Sequence, residues 1–420
     1  MNLMVRGNKS IGGRLRIGWQ SGATIAFAVA AYGFWNFVRP ELISAREAFL
    51  LFLWNGDYFL ERLSAPGGFA RYAGEFLVQF FKSVSVGALI CALLLSAVQW
   101  LSWFLLKRSL PALGSKVLFP LSFLPAMILW FLLCDIDVTM TLPVAVLLTL
   151  LLMLLLPERR LSALIVSLIM MPVGYWLIGP VVLLLALWHL CWLRVRGSRM
   201  AVAVGSVALG LLLTASVLVS SRFVPYSVGD LAKGIDYVMI EPGQFGTSEE
   251  IFYDYLQRQK AWDTIVSRSN EQEPKSLACK NITLLARYYT KQVSDDELKL
   301  SLLYPNKVLT SGAAAMMMSD LYLHMGFVNM SQRAAFEVME SPSNYNKSAR
   351  ELVRLVETNL IIGQYEVAQK YISLLEETLF YRQSARRLKT YVLHPEQIKS
   401  SPFYGSLQEI YGETSDGFFF

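Results

Sequence analysis

The chain is poor in the residues from which most catalytic and metal sites are built. Its 420 residues include only four cysteines and three histidines. No CxxC pair occurs, and His189, His324 and His394 lie far apart. Zinc ligation and a disulfide framework both need clustered donors, so neither is encoded, and no cofactor is expected. Cys91, Cys134 and Cys191 fall in or at the ends of apolar runs and read as small apolar residues. Cys279 is left as the one thiol outside those runs. Phosphate-cradling glycine loops and nucleophile elbows are missing too; Gly12-Gly13 is a lone dipeptide in a basic leader. Charged residues make up only 17% of the chain, against 54% apolar ones, a balance unusual for a water-soluble protein.

The apolar excess lies almost wholly before Ser221, in runs such as 142–156 and 181–193. Charge divides at the same place. Through Ser220 there are 17 Lys and Arg against 8 Asp and Glu; from Ser221 onward there are 21 against 24. The basic excess therefore belongs to short loops between apolar runs, and the second half is mildly acidic. A nucleic-acid footprint requires a basic stripe on the soluble part, so that class of partner is excluded.

A bilayer core needs about 20 apolar residues of helix. The runs place spans near 20–38, 80–106, 117–134, 139–156, 161–178, 180–194 and 200–220. Segment 161–193 is too long for one crossing, and Gly179-Pro180 supplies a turn in its middle. The stretch 20–38 has no small-residue cleavage site and reads as an uncleaved first helix rather than a signal peptide. With the N-terminus in the cytoplasm, the inner segments hold twelve Lys and Arg and the outer loops four. This satisfies the positive-inside rule and puts residues 225–400 outside the cytoplasm of a bacterial inner membrane. Of the ionisable groups, only Lys82 and His189 fall within spans, too few for a proton relay. In the long outer loop, Ala48–Leu60 is apolar and aromatic yet too short to span, and an interfacial helix is expected there.

After Pro225 the pattern becomes one of amphipathic helices about a dozen residues long. Thr247 with Glu250, and Ser294 with Glu297, read as capping boxes. Leu360, Gly363, Tyr365, Ala368 and Ile372 then follow the middle of a tetratricopeptide repeat: glycine permits the turn between helices A and B, the aromatic fills the gap, and the small residue lets helix B approach. An earlier copy centres on Gly326 with Ser331 in the small position. A weaker one runs from Leu256 to Ile265, with Lys260 where glycine is expected. The second half thus resembles a tetratricopeptide-like domain, with an unrelated helical bundle as the alternative. The whole arrangement resembles an uncharacterised family of bacterial multi-pass membrane proteins, a resemblance that implies no activity. The last residues, 401–420, lack periodicity and are expected to be loosely ordered.

The expected fold class is therefore all-α: a polytopic transmembrane bundle over 1–220, then a helical-hairpin repeat domain. Such a domain binds a protein or peptide segment on the surface of its A helices. Tyr322, Arg350, Arg354 and Asn359 are candidates there, with Arg333 and Glu337 spaced i,i+4 on a B helix. The expected partners are the lipid bilayer and an envelope protein or peptide. The enzymatic alternative is a membrane glycosyltransferase using a lipid-linked sugar, with Glu41, Glu47, Asp57, Asp135 and Asp137 as its outer-loop carboxylates.

Overall fold

Helix is the only regular structure this composition supports, and the computed structural model is all-α. It describes residues 18–110, 114–157, 160–188, 199–238, 243–302, 307–340 and 347–413. Among the described residues there is no strand, only one antiparallel bridge between Val138 and Val238.

The apolar half forms α1 (Trp19–Gly33), α2 (Pro40–Ala48), α3 (Gly56–Leu63), α4 (Gly68–Val78), α5 (Val84–Ser109), α6 (Ser115–Leu121), α7 (Phe123–Leu133), α8 (Thr141–Leu155), α9 (Arg160–Ile178) and α10 (Arg199–Ser220). Among the described residues three segments are long and apolar enough to cross a membrane: Trp19–Val38, Val84–Ser109 and Ser115–Leu133. Thr141–Leu155, Ile165–Ile178 and Val207–Ser220 are apolar but shorter. Three full-length segments are fewer than the seven expected. Of the expected sixth span, residues 189–194 lie outside the described residues, as does His189 with them.

Proline sets several of the boundaries. The end of α1 widens into a π-helical turn over Phe34–Val38, and Pro40, which has no N–H, starts α2 instead of extending it. Pro125 cannot donate to the Leu121 carbonyl, and the third apolar segment breaks at Ser122 into α6 and α7. The break is put to use. The Gln99 amide of α5 donates to the Ser122 hydroxyl at 2.8 Å and accepts from Thr24 of α1 at 2.9 Å. Side-chain hydrogen bonds thereby tie α1 and α5 to the break between α6 and α7.

Helix α5 is the centre of the bundle, in contact with α1, α7 and α8. Successive helices alternate in direction, and their ends sort into two sets. At one end, the Tyr237 hydroxyl donates to the Ile178 carbonyl at 2.7 Å, and the Gly67 amide donates to Trp176 at 2.8 Å. At the other, Arg108 donates to the carbonyls of Leu154 and Leu156, and the Trp188 indole donates to Ser109. The second half of the chain sits on the first of these ends. Short helices α2 to α4 lie between it and the bundle. Gly74 of α4 lies so close to α8 that an added Cβ would stand 2.9 Å from the Thr141 amide.

The tail comprises α11 (Val228–Lys233), α12 (Ser248–Arg258), α13 (Trp262–Glu271), α14 (Leu277–Tyr289), α15 (Asp295–Ser301), α16 (Gly312–His324), α17 (Val328–Glu340), α18 (Ala349–Ile362), α19 (Tyr365–Glu376), α20 (Arg382–Leu393), α21 (Glu396–Lys399) and α22 (Tyr404–Glu413). The Thr247–Glu250 capping box is formed in both directions. Four first helices end in one and the same turn. Lys260, Lys291, Gly326 and Gly363 all have φ between +53° and +87°. In each, the next residue's amide reaches back five positions: Ala261 to Leu256, Gln292 to Arg287, Phe327 to Tyr322 and Gln364 to Asn359. This is the Schellman arrangement, which satisfies the last carbonyls of a helix and turns the chain back. The turns fall 31, 35 and 37 residues apart. Tyr365 opens the helix after the last turn, half-buried against the core, and Ala368 is fully buried in its interface.

Three expectations need correction. Of the expected Ala48–Leu60 helix only Gly56–Leu60 is helical; residues 50–54 form no helix, and Phe49, Leu50, Leu51 and Phe52 are buried between bundle and tail, where packing gains more than a membrane surface offers. Lys82 belongs to a short 3₁₀ turn before α5, outside the apolar helix, with its ammonium 3.5 Å over the Tyr381 ring. Packing also continues past residue 400: Leu407 is buried, and the Tyr404 hydroxyl donates to Glu357 at 2.8 Å. Residues 414–420 lie outside the described residues.

Candidate functional site

The polar chemistry of this protein concentrates where the tail meets the bundle. Helix α4 presents Arg71 and Glu75 one turn apart, so both point to the same side. Glu75 accepts from the Tyr58 hydroxyl, Arg62 Nε and Arg71 Nε, each at 2.8 Å. Arg71 continues to Asp236 at 3.1 Å. Arg62 also stacks over the Tyr58 ring, 4.2 Å from its centroid. All five side chains are buried. Burial alone would raise the Glu75 carboxyl, but the two guanidiniums hold it below its ordinary value. Burial and the Glu75 charge together push the Tyr58 phenol well up, so it remains a donor.

Arg46 of α2 is buried without a carboxylate. Its Nη2 donates to the carbonyls of Leu133, Asp135 and Val138 at 2.8, 2.9 and 3.3 Å. The guanidinium thereby pins the 134–140 loop to the seam. Burial pulls its pKa below the ordinary value. A cavity of about 70 Å³ lies between Arg46, Arg71, Glu75, Asp236, Phe49 and Phe245.

The extended stretch after α2 crosses from bundle to tail. Ser348 donates to the Ala48 carbonyl, the Ala349 amide donates to Leu50, and the Trp54 amide donates to Glu377. Glu47 accepts from the Tyr381 hydroxyl at 2.6 Å and pairs with Arg258. The tail therefore holds a segment of its own chain at the start of α18 and the end of α19.

Two of the residues singled out from the sequence, Arg350 and Arg354, come together in the tail in an inner polar network, with Tyr322 in the apolar core and Asn359 donating to the Leu355 carbonyl of its own helix. Arg350 pairs with Asp254 of α12 at 2.8 Å and with Asp320 of α16. Arg354 pairs with the same Asp320 at 2.6 Å and with Glu357 at 2.8 Å. Tyr322 and Asn359 are fully buried. The two arginines lace α12, α16 and α18 to one another. Two guanidiniums hold Asp320 far below the usual carboxylate range against the opposing effect of burial. Glu351, 0% exposed, has neither oxygen hydrogen-bonded among the described residues; burial pushes it up to about 7, with the Arg350 Nε 3.6 Å away. Arg333 and Glu337 stand apart, on the outer side of α17. Arg333 is half-buried and Glu337 exposed, and no ion pair joins them among the described residues.

The outer-loop carboxylates are dispersed. Glu41 pairs with Arg39 and Glu47 with Arg258. Asp57 and Asp135 are exposed. Asp137 accepts from the Gly243 amide through one oxygen at 3.0 Å, and burial raises its carboxyl. Among the described residues no group of three His, Cys, Asp or Glu is placed to hold a metal ion. The seam residues Arg46, Arg62, Arg71, Glu75 and Asp236 escaped sequence reasoning. The signal was the i,i+4 pair Arg71 and Glu75 inside an otherwise apolar stretch.

No curated protein and no solved structure matches the chain. A family profile matches residues 16–420, bundle and tail together. The chain belongs to this family of unknown function (DUF6057).

Proposed function

We propose that the chain is a multi-pass protein of a bacterial inner membrane, with seven crossings, a cytoplasmic N-terminus and an extracytoplasmic tail. In this reading the tail is a tetratricopeptide-like stack that binds a protein or peptide of the envelope. The observation that carries the tail's role is the recurrence of one turn at Lys260, Lys291, Gly326 and Gly363. The bundle's outer surface supports the membrane: Phe37, Phe131 and Leu155 are each more than 75% exposed, a surface that water would not tolerate.

The chain's own residues 48–55 bond to the start of α18 and the end of α19, and Arg350 and Arg354 on the first helices are spent on internal pairs. The partner face therefore lies on the second helices, where α17 offers Arg333 and Glu337 beside an exposed Phe336. A photo-crosslinking amino acid at position 336 of the full-length protein in living cells tests this. We expect a crosslinked species of defined mass that Arg333→Glu abolishes. A product unchanged by Arg333→Glu, or none at all, counts against this face.

A second reading is favoured by two carboxylates at the tail end of the bundle. Glu41 Oε2 and Asp137 Oδ1 are buried without a hydrogen-bond partner among the described residues. Buried carboxylate oxygens in such a place are candidates for proton transfer to a lipid-linked sugar. Glycosyl transfer by membranes carrying the protein, lost in Asp137→Asn, would establish that reading; transfer that persists in Asp137→Asn and Glu41→Gln removes it.

A further inference from the structure

The turn between α19 and α20 is made of the wrong residues for water. It reads Glu377-Thr378-Leu379-Phe380-Tyr381, and Leu379 and Phe380 are 42% and 39% exposed. Turns that face water are built mostly from Gly, Pro, Asn, Asp and Ser. This one is also held in place. The Tyr381 amide donates to the Thr378 hydroxyl at 3.2 Å, and Lys82 Nζ donates to the Phe380 carbonyl at 3.4 Å. The Phe380 ring meets Phe80 edge-on, with centroids 5.4 Å apart. Two apolar side chains are thus fixed in an exposed position where the tail touches the residues leading into α5.

Helix α5 sets the level of that position. Its outward stripe of Val86, Leu89, Leu93 and Phe104 is exposed and apolar, and Lys107 and Arg108 close its far end. With α5 along the membrane normal, the 20 residues from Lys107 back to Gly87 rise about 30 Å, the thickness of a hydrocarbon core. The Gln79–Lys82 turn folds back to the level of Gly87, where an added Cβ would stand 3.0 Å from the Phe81 ring. Phe80 and Phe380 therefore lie at the edge of that core, beside a headgroup zone about 5–8 Å deep. The apolar turn continues the lipid-facing stripe of α5.

Helix α20 follows at once and supplies charge. No acid falls between Glu377 and Glu396, whereas Arg382, Arg386, Arg387 and Lys389 do, in a tail that is otherwise mildly acidic. Lys389 pairs with Glu376. The three arginines are exposed, and no ion pair holds them among the described residues. Arg382 and Arg386 stand one turn apart at the end of α20 that adjoins Phe380. Apolar side chains at the acyl boundary with cations beside them are how a protein rests on an anionic bilayer surface. We infer that this corner of the tail docks on the extracytoplasmic leaflet, Leu379 and Phe380 entering the acyl–headgroup boundary and Arg382 and Arg386 holding anionic phospholipid headgroups. This rests on the membrane reading above.

The test uses a cysteine-free form of the full-length protein carrying Leu379→Cys, labelled with a nitrobenzoxadiazole fluorophore and placed in phosphatidylcholine nanodiscs with or without phosphatidylglycerol. Gln272→Cys, labelled alike, is the aqueous reference. Quenching by lipids that carry a nitroxide near the headgroup is expected to be about threefold greater at 379 than at 272, with bluer emission. Phosphatidylglycerol should deepen the quenching at 379. Two arginines on an anionic surface shift the docking equilibrium by about 30-fold, and Arg382→Gln with Arg386→Gln should remove that gain while leaving the unfolding midpoint unchanged. Equal, weak quenching at 379 and 272 in both kinds of nanodisc overturns the inference and leaves the arginines to an acidic protein. Quenching indifferent to phosphatidylglycerol, or a gain that survives the double substitution, overturns it too. An alkaline carbonate wash separates the two readings: a protein released by it was never integral and both fall, whereas one that resists the wash with an aqueous position 379 defeats the docking alone.

Discussion

At the scale of single residues, burial of charge dominates. Asp320 neutralises both Arg350 and Arg354, so Asp320→Ala leaves two guanidiniums in the tail's interior short of a partner. We expect a loss on the order of 3–5 kcal/mol, read as a fall in the unfolding midpoint of the purified protein. Glu75→Gln breaks the equivalent knot in the seam and is expected to cost about as much. Glu351 behaves in the opposite sense. Its folded pKa, about 7, lies above the ordinary 4.5, so the folded state keeps a proton that the unfolded chain releases. Its contribution is complete below about 4.5 and is lost as pH rises through about 7. Glu351→Gln should raise the unfolding midpoint at pH 8, by an amount on the order of 1–3 kcal/mol, and change little at pH 4. Equal effects at both pH values would show that the carboxyl is ionised throughout. None of this was legible beforehand. Arg350 resembles a surface residue in a one-dimensional pattern because its carboxylates come from helices 30 and 96 residues away, and of the two partners of Arg354 only Glu357 is local, Asp320 lying 34 residues back.

At the scale of elements, the four Schellman turns set the tail's geometry, and they are not equally well made. Gly326 and Gly363 enter the left-handed region without a Cβ penalty, while Lys260 and Lys291 pay it, at about 1 kcal/mol or more each. Lys260→Gly is expected to stabilise the protein by about 0.5–1 kcal/mol despite the added freedom of the unfolded chain, and Gly363→Ala to destabilise it by about 1 kcal/mol. Chemical denaturation of the two variants checks the signs. Here the sequence was informative. Glycine followed by an aromatic and a small residue marked two turns, and Lys260 was correctly aligned with them even though its side chain argues against the conformation. Lys291 was missed because nothing in a lysine announces a positive φ; only the hydrogen bond from Gln292 to Arg287 does so.

At the scale of the whole molecule, bundle and tail share one continuous core in which Trp35, Phe49, Phe81, Phe245 and Met316 meet. Truncation before the tail should therefore expose the apolar stretch 49–52 and give an aggregating bundle, whereas a tail on a flexible tether would leave it soluble in detergent. Sidedness requires an engineered thiol. Cys279 is 0% exposed and burial raises its pKa, so it will not label in the folded protein. In a cysteine-free background, Gln272→Cys should react with an impermeant maleimide in intact spheroplasts, and Lys116→Cys only after lysis. The reverse pattern would invert the proposed topology.

The hydropathy pattern by itself pointed to the all-α class seen among the described residues, because long apolar runs and periods near 3.6 favour helix over strand. It also marked the division near residue 221, since charge and hydropathy are summed locally and need no contacts. What residues 39–75 do was decided only in three dimensions. Phe49–Trp54 has the composition of a membrane-surface helix, yet the Leu50 carbonyl accepts from Ala349 and the Trp54 amide donates to Glu377, some 300 residues on. Local propensity cannot register a partner at that separation, and burial against it outweighs the preference for helix.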